Sequence, residues 1–256
     1  MGYNSVYDRI RSYFLGRMEK TMFKSIPTYV LLDLYKARID KAIGKNMVRV
    51  LNARYLEAIT TVYMNNLIDR ELIETEKSEI PVILLHGFWG PQKNIELALS
   101  NLLKLRNNGK KFRLVISGGI NTHFPNYEAE FKKLLDLYSN AIDEYLGYVK
   151  EKDLMDIFLK TDLLILPYNT PGGHSGVLEQ GMFFELLSIA IDFPEYKEQA
   201  NGSSLVKLTE RGNFGEIVML SLNSNEKKKI VLIKSKVILI QNNIKLILNS
   251  GERGDD

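Results

Sequence analysis

IPVILLHGFWGPQKNIELALSNLLKL, residues 80–105, decides how this chain folds. Pro81 to Phe88 is an apolar run of strand length that ends in glycine. From Asn94 the apolar residues move to helical spacing, with Ile95, Ala98, Leu99, Leu102 and Leu103 on one face, and Asn107, Asn108 and Gly109 stop the helix. A buried strand leading at once into an amphipathic helix is the opening of a βαβ unit.

The same rhythm continues downstream. Phe112 to Ser117 is the next strand, Gly118 and Gly119 its turn, and Tyr127 to Tyr138 a helix with Phe131, Leu134, Leu135 and Tyr138 inward. Then come a short strand Glu144 to Val149, a helix Glu151 to Leu159, a strand Asp162 to Pro167, and a helix Gly176 to Leu187 entered through residues 168–175. Ser188 to Asp192 and Leu205 to Leu208 read as further strands, and the apolar blocks Ile230–Ile233, Val237–Ile240 and Leu246–Leu248 as a carboxyl-terminal helix. Strands that alternate with helices predict an α/β fold, a Rossmann-like parallel sheet covered by helices on both faces. Ligands of such sheets sit at the carboxyl ends of the strands, which places the loops after Phe88, Ser117, Val149 and Tyr168 around one cleft.

Upstream the pattern changes. Thr28–Leu34, Met47–Leu51 and Thr61–Tyr63 are strand candidates and Tyr35–Ile43 a helix, which makes residues 1–77 a small partial α/β unit beside a main domain at 78–250, with 251–256 a frayed tail. Tyr7 to Lys24 sets Arg9, Arg11, Arg17, Lys20 and Lys24 beside Ile10, Phe14, Met18 and Met22. A helix there either gives residues 5–24 a peripheral contact with an anionic membrane surface or packs on its own domain with solvated charges.

Hydrophobic residues are 45% and charged residues 25% of the 256, values of an ordinary globular protein. The net charge of +3 is too small an excess to call for nucleic acid. Cysteine is absent, which removes disulfides, thiolate nucleophiles and thiolate metal ligands. With no apolar run of spanning length and no signal peptide at Met1 to Asn4, the reading is cytoplasmic, with membrane association on the cytoplasmic face left open.

Leu85-His86-Gly87-Phe88 and Gly173-His174-Ser175-Gly176 together suggest a serine hydrolase, but the order opposes it. In α/β-hydrolases the catalytic histidine follows the serine, whereas His86, His123 and His174 all precede Ser175, and Val177 stands where the elbow needs glycine. A leaving nucleoside diphosphate suits the same segments better. Its developing charge needs a cation or the amides of a helix start. Lys93 supplies the one, and Gly172, Gly173, Ser175 and Gly176, leading into the helix of Glu179, supply the other. No Asp-x-Asp pair is present to bridge a diphosphate through a metal, so no metal or cofactor is expected.

In order, VILLHGFWGPQKNIE, LVISGG, LGYVKEKDLMDIFLKTDLLILPY and SGVLEQGM resemble the donor-binding half of glycosyltransferase family 4 over about Pro81 to Leu208. The resemblance implies a retaining, metal-independent enzyme of GT-B fold that uses a UDP- or GDP-sugar. Carried over by position, Lys93 would contact the diphosphate, Glu179 the ribose hydroxyls, and His174, Ser175, Gly176, Val177 and Leu178 would cradle phosphate and sugar. Tyr148 would border the base, while Gly87, Gly118 and Gly119 would admit the ligand close to the backbone, with Phe88 beside it. Lys93, His174 and Glu179 are thus the residues expected at the chemistry.

The departures bear on activity. Phe88 stands where the family carries arginine, Pro171 where many members carry a first glutamate, and residues 1–77 hold no histidine. They leave open a catalytically incomplete nucleotide-sugar-binding subunit, completed by a partner or a second copy, and a sugar, a lipid or a protein as the acceptor. An epimerase of similar architecture would show a histidine and acid pattern that is missing here.

Overall fold

A computed structural model describes residues 28–30, 48–50, 73–75, 79–171, 173–223 and 229–231. The basic segment 7–24, the helix at 35–43, the strand at 61–63, Gly172, the run beyond Val231 and the tail lie outside the described residues. The chain divides into two units, Met1–Ala53 and Arg54–Asp256. In the first, β1 (Thr28–Val30) pairs in parallel with β2 (Val48–Val50), inside two of the stretches read as strands.

In the second unit, β3 (Ile73–Thr75) precedes a six-stranded sheet made of β4 (Val82–His86), β5 (Arg113–Ser117), β6 (Glu144–Tyr145), β7 (Leu163–Leu166), β8 (Leu187–Ile191) and β9 (Val206–Thr209). All six run parallel, in the order β6-β5-β4-β7-β8-β9. The crossovers are α1 (Ile95–Asn107), α2 (Tyr127–Leu137), α3 (Glu151–Leu159), α4 (Gly176–Phe183) and α5 (Pro194–Ala200), and α6 (Phe214–Leu222) follows β9.

Because helices cover both faces, the strands are apolar on both. Ile83 and Leu85 of β4 pack with Leu99 and Leu102 of α1, Phe131 of α2 and Val218 of α6. Leu84, between them, points the other way and packs with Phe158 of α3, Leu178 of α4 and Tyr196 of α5. That is why VILLH reads as an unbroken run rather than an alternating one.

Several expectations need correction. The helix predicted from Ile230 begins instead as β10 (Lys229–Val231), antiparallel to β3, as suits the β-branched Ile230 and Val231. The helix predicted to Leu187 ends at Phe183, because Glu185 takes a left-handed conformation (φ 56°) and Leu187 pairs with Leu163 in the sheet. β6 is two residues long, since Gly147 turns away with φ 61°. In α1, Leu105 rather than Leu103 completes the buried face.

α4 lies close on the sheet through Gly181, where a Cβ would stand 2.6 Å from both Leu164 Cδ2 and Ser188 Oγ. Gly181→Ala is therefore expected to destabilise the protein by about 1–3 kcal/mol, read as a lower denaturant midpoint at unchanged slope.

Candidate functional site

At the centre of the sheet the topology reverses: β4 sends its crossover toward β5 and β7 sends its own toward β8. The carboxyl ends of β4 and β7 therefore diverge into a crevice, the usual ligand position in open α/β sheets.

The first wall is built after β4. Trp89 is buried and stacks on Phe131 with ring centroids 5.5 Å apart, which anchors the loop in the core. Trp89 N donates to Gly119 O and Asn121 N to Trp89 O, each at 2.8 Å, and Gly118 N donates to Gly147 O at 2.6 Å, so the loops after β4, β5 and β6 are stitched together. Gly118 (φ 113°) lies so close to Gly87 that a Cβ would stand 1.7 Å from Gly87 O. A one-turn 3-10 helix, Pro91–Lys93, then delivers Lys93 into the crevice.

Lys93 Nζ rests 3.6 Å from the centroid of the Tyr168 ring, a cation–π contact. Burial lowers the lysine to a pKa of about 8. His86 beneath it is lowered to about 4, by burial first and then by the Lys93 charge, so its imidazole is neutral near pH 7. Its Nδ1 meets Ser117 Oγ at 2.8 Å and its ring stands edge-on to Phe158. Burial also pushes the Tyr168 phenol far above its usual range.

The second wall is the entry to α4. Ser175 is the N-cap, its Oγ accepting from Leu178 N at 3.3 Å. Gln199 of α5 holds the same residue through its backbone: Ser175 N donates to Gln199 Oε1 at 3.0 Å, and Gln199 Nε2 donates to Ser175 O at 2.9 Å. Gln199 Nε2 also donates to Glu179 Oε2 at 3.1 Å, and His174 Nε2 stands 3.4 Å from that oxygen. Asn169 joins the walls, its N donating to Gln92 O at 2.8 Å and its Nδ2 to Pro91 O at 3.3 Å.

Between the walls lies a cavity of about 590 Å³. Of the residues expected from the sequence, Gly87, Phe88, Lys93, Gly118, Tyr148, His174, Ser175, Gly176 and Val177 line it. Gly119, Leu178 and Glu179 do not. Gly119 sits behind Tyr148, Leu178 is in the core, and Glu179, 4% exposed, turns its carboxylate to His174 and Gln199. Sequence reasoning missed Gln92, Asn121, Tyr168 and Thr170 on the wall, and Gln199 behind it. Pro194 at the start of α5 and Asn201-Gly202 at its end, both with positive φ, were the signals for that helix.

A half-buried cation, close-approach glycines and a helix amino terminus face this one cavity, features that favour an anion.

No protein-family profile and no curated protein sequence matches the chain. Solved structures do. HepE from Anabaena, in complex with UDP and glucose, superposes with a TM-score of 0.65 at 13% identity, over 92% of this chain and 66% of its own. A glycosyltransferase from Rickettsia africae gives 0.62 at 17% identity, over 91% and 64%. Sucrose-phosphate synthase from Thermosynechococcus elongatus gives 0.62 at 12% identity, over 93% and 60%. At these identities the likeness is one of fold, the Rossmann-like α/β architecture of GT-B glycosyltransferases. The chain spans about two thirds or less of the length of those structures.

Proposed function

We propose that residues 78–250 bind a UDP- or GDP-sugar in this cavity and that the protein transfers the sugar, with retained anomeric configuration and without metal or cofactor, to a hydroxyl of a sugar, lipid or protein. The observation that carries this reading is that Lys93 and the amino terminus of α4 face one cavity at the reversal point of the sheet. As the anomeric C–O bond breaks, the leaving diphosphate gains charge. Lys93 and the amides opening α4 oppose that charge. Tyr148 and Val149 border the base, and His174 stands on the sugar side. The UDP and UDP-glucose complexes of HepE make UDP-glucose the first donor to try.

A binding-only subunit that needs a partner for its acceptor side is the second reading, favoured by Phe88 and Pro171, both of which line the cavity in place of charged residues. Residues 5–24 are the proposed contact with an anionic membrane on its cytoplasmic face. Among the described residues no helix is long and apolar enough to cross a membrane.

A saturating donor, at about 100 times its dissociation constant, is expected to add about 2.7 kcal/mol of stability. That corresponds to a melting rise of about 5–10 °C. UDP-glucose, UDP-N-acetylglucosamine and GDP-mannose are the donors to compare, with EDTA present throughout. No shift with any of them defeats the reading; a shift without release of UDP or GDP selects the binding subunit.

A further inference from the structure

α5 lies outside the cavity, yet two of its buried side chains reach the loop that borders it. Tyr196 and Gln199 are three residues apart and so share one helix face. Tyr196 OH donates to Pro171 O at 3.0 Å, and Gln199 holds Ser175 in both directions. One short helix thus grips both ends of the segment Pro171 to Ser175.

Gln199 is 3% exposed, and both N–H bonds of its amide are used, one on Ser175 O and one on Glu179 Oε2. With Oε1 taken by Ser175 N, the orientation of the amide is fixed. An apolar side chain would fill the position without the desolvation cost of a buried amide. The amide therefore points to a positional task. Every one of these bonds goes to the entry of α4, whose flanking residues His174, Gly176 and Val177 line the cavity.

We propose that Gln199 is the positioning residue of this site, locking the Ser175 backbone and the Glu179 carboxylate so that the α4 amides and His174 are already aligned before a ligand arrives. Glu179 then acts behind the loop, as the partner of Gln199 and His174. The inference deepens the reading of the cavity as a nucleoside-diphosphate site and rests on it for its ligand. The physics is that of preorganisation: donors already aimed at an anion need no ordering when it binds.

The test uses the full chain, with UDP as probe and hydrogen exchange of the amides of residues 175–178 as a readout that needs no ligand. Gln199→Leu is expected to speed exchange at Ser175 and Leu178 at least tenfold and to weaken UDP binding about fivefold to tenfold. Gln199→Glu sets a second carboxylate against Glu179 and is expected to weaken UDP binding further. The swap Glu179→Gln with Gln199→Glu restores the donor–acceptor pair between positions 179 and 199, though not the bond to Ser175 O, and is expected to recover the extra loss that Gln199→Glu shows over Gln199→Leu. A merely structural role predicts loss of melting temperature in all three variants and no recovery. Exchange and UDP affinity of Gln199→Leu within twofold of the parent would overturn the proposal. So would a swap no better than Gln199→Glu, which also decides the matter if Gln199→Leu fails to fold. If the parent binds neither UDP nor GDP, the nucleotide reading fails by itself, while unchanged exchange in Gln199→Leu would still refute the clamp.

Discussion

Lys93→Ala is expected to weaken UDP binding by about tenfold to a hundredfold without lowering the melting temperature of the free protein. A hydrogen bond from a charged donor is worth about 1.5–3 kcal/mol, and each 1.4 kcal/mol is about a factor of ten. The free protein gains little from this ammonium. Among the described residues no carboxylate lies within ion-pair distance of it, and burial brings its pKa down to about 8.

The sign of the pH effect follows. Between about pH 8 and the ordinary lysine value the unfolded chain holds a proton that the folded chain has lost, so Lys93 makes stability rise with pH across that window. Affinity for a diphosphate runs the other way. It needs the charged amine, so it should fall as pH passes 8, and ligand binding above that pH should take up a proton. Titration calorimetry from pH 6.5 to 9.5, in buffers of different ionisation heat, reads both effects. An affinity flat with pH and unchanged in Lys93→Ala would remove this lysine from the site.

Gly118→Ala should cost about 3 kcal/mol or more, a fall of roughly 10 °C in melting temperature, or prevent folding altogether. Two penalties coincide there. The residue has φ 113°, and its Cβ would fall 1.7 Å from Gly87 O, a backbone atom held where it is because Gly87 N donates to Ser117 O at 3.2 Å. Gly109→Ala is the control, since Gly109 also has positive φ (80°) but open space around it, and should cost only about 1–2 kcal/mol. Equal melting losses in the two variants would show that the close approach of the loops after β4 and β5 contributes nothing.

The fold was legible wherever a strand is buried on both faces. VILLH, RLVIS and LLIL stand out because polar residues occur only at their ends, and all three are found as strands. α3 was placed to the residue, with Leu154 and Phe158 four apart on its inner face. α5 was missed for the opposite reason. Its seven residues, PEYKEQA, look like a solvated loop, although Tyr196 and Gln199 are buried. Boundaries set by single backbone conformations, such as Glu185 in the left-handed region, leave no trace in apolar spacing.

The site was half legible. Lys93, His174 and Ser175 follow from residue type and order, and they do meet at one cavity. Tyr168 was passed over because an aromatic residue at the end of a strand looks like core, and it is core, yet its ring face carries the Lys93 ammonium. Gln199 was invisible because an amide acts through the bonds it makes, and those appear only once α5 lies against Ser175.

Val82 N donates to Asp162 Oδ2 at 2.7 Å across the middle of the sheet, between positions 80 apart in sequence. Closing a segment of that length costs about 4 kcal/mol in chain entropy before any contact repays it. During synthesis the half of the cleft bearing the lysine leaves the ribosome well before the half bearing the helix start. A nascent chain stopped between β6 and β7 has no partner strand for the open edge of β4, and must rely on chaperones or speed to keep that edge from other chains.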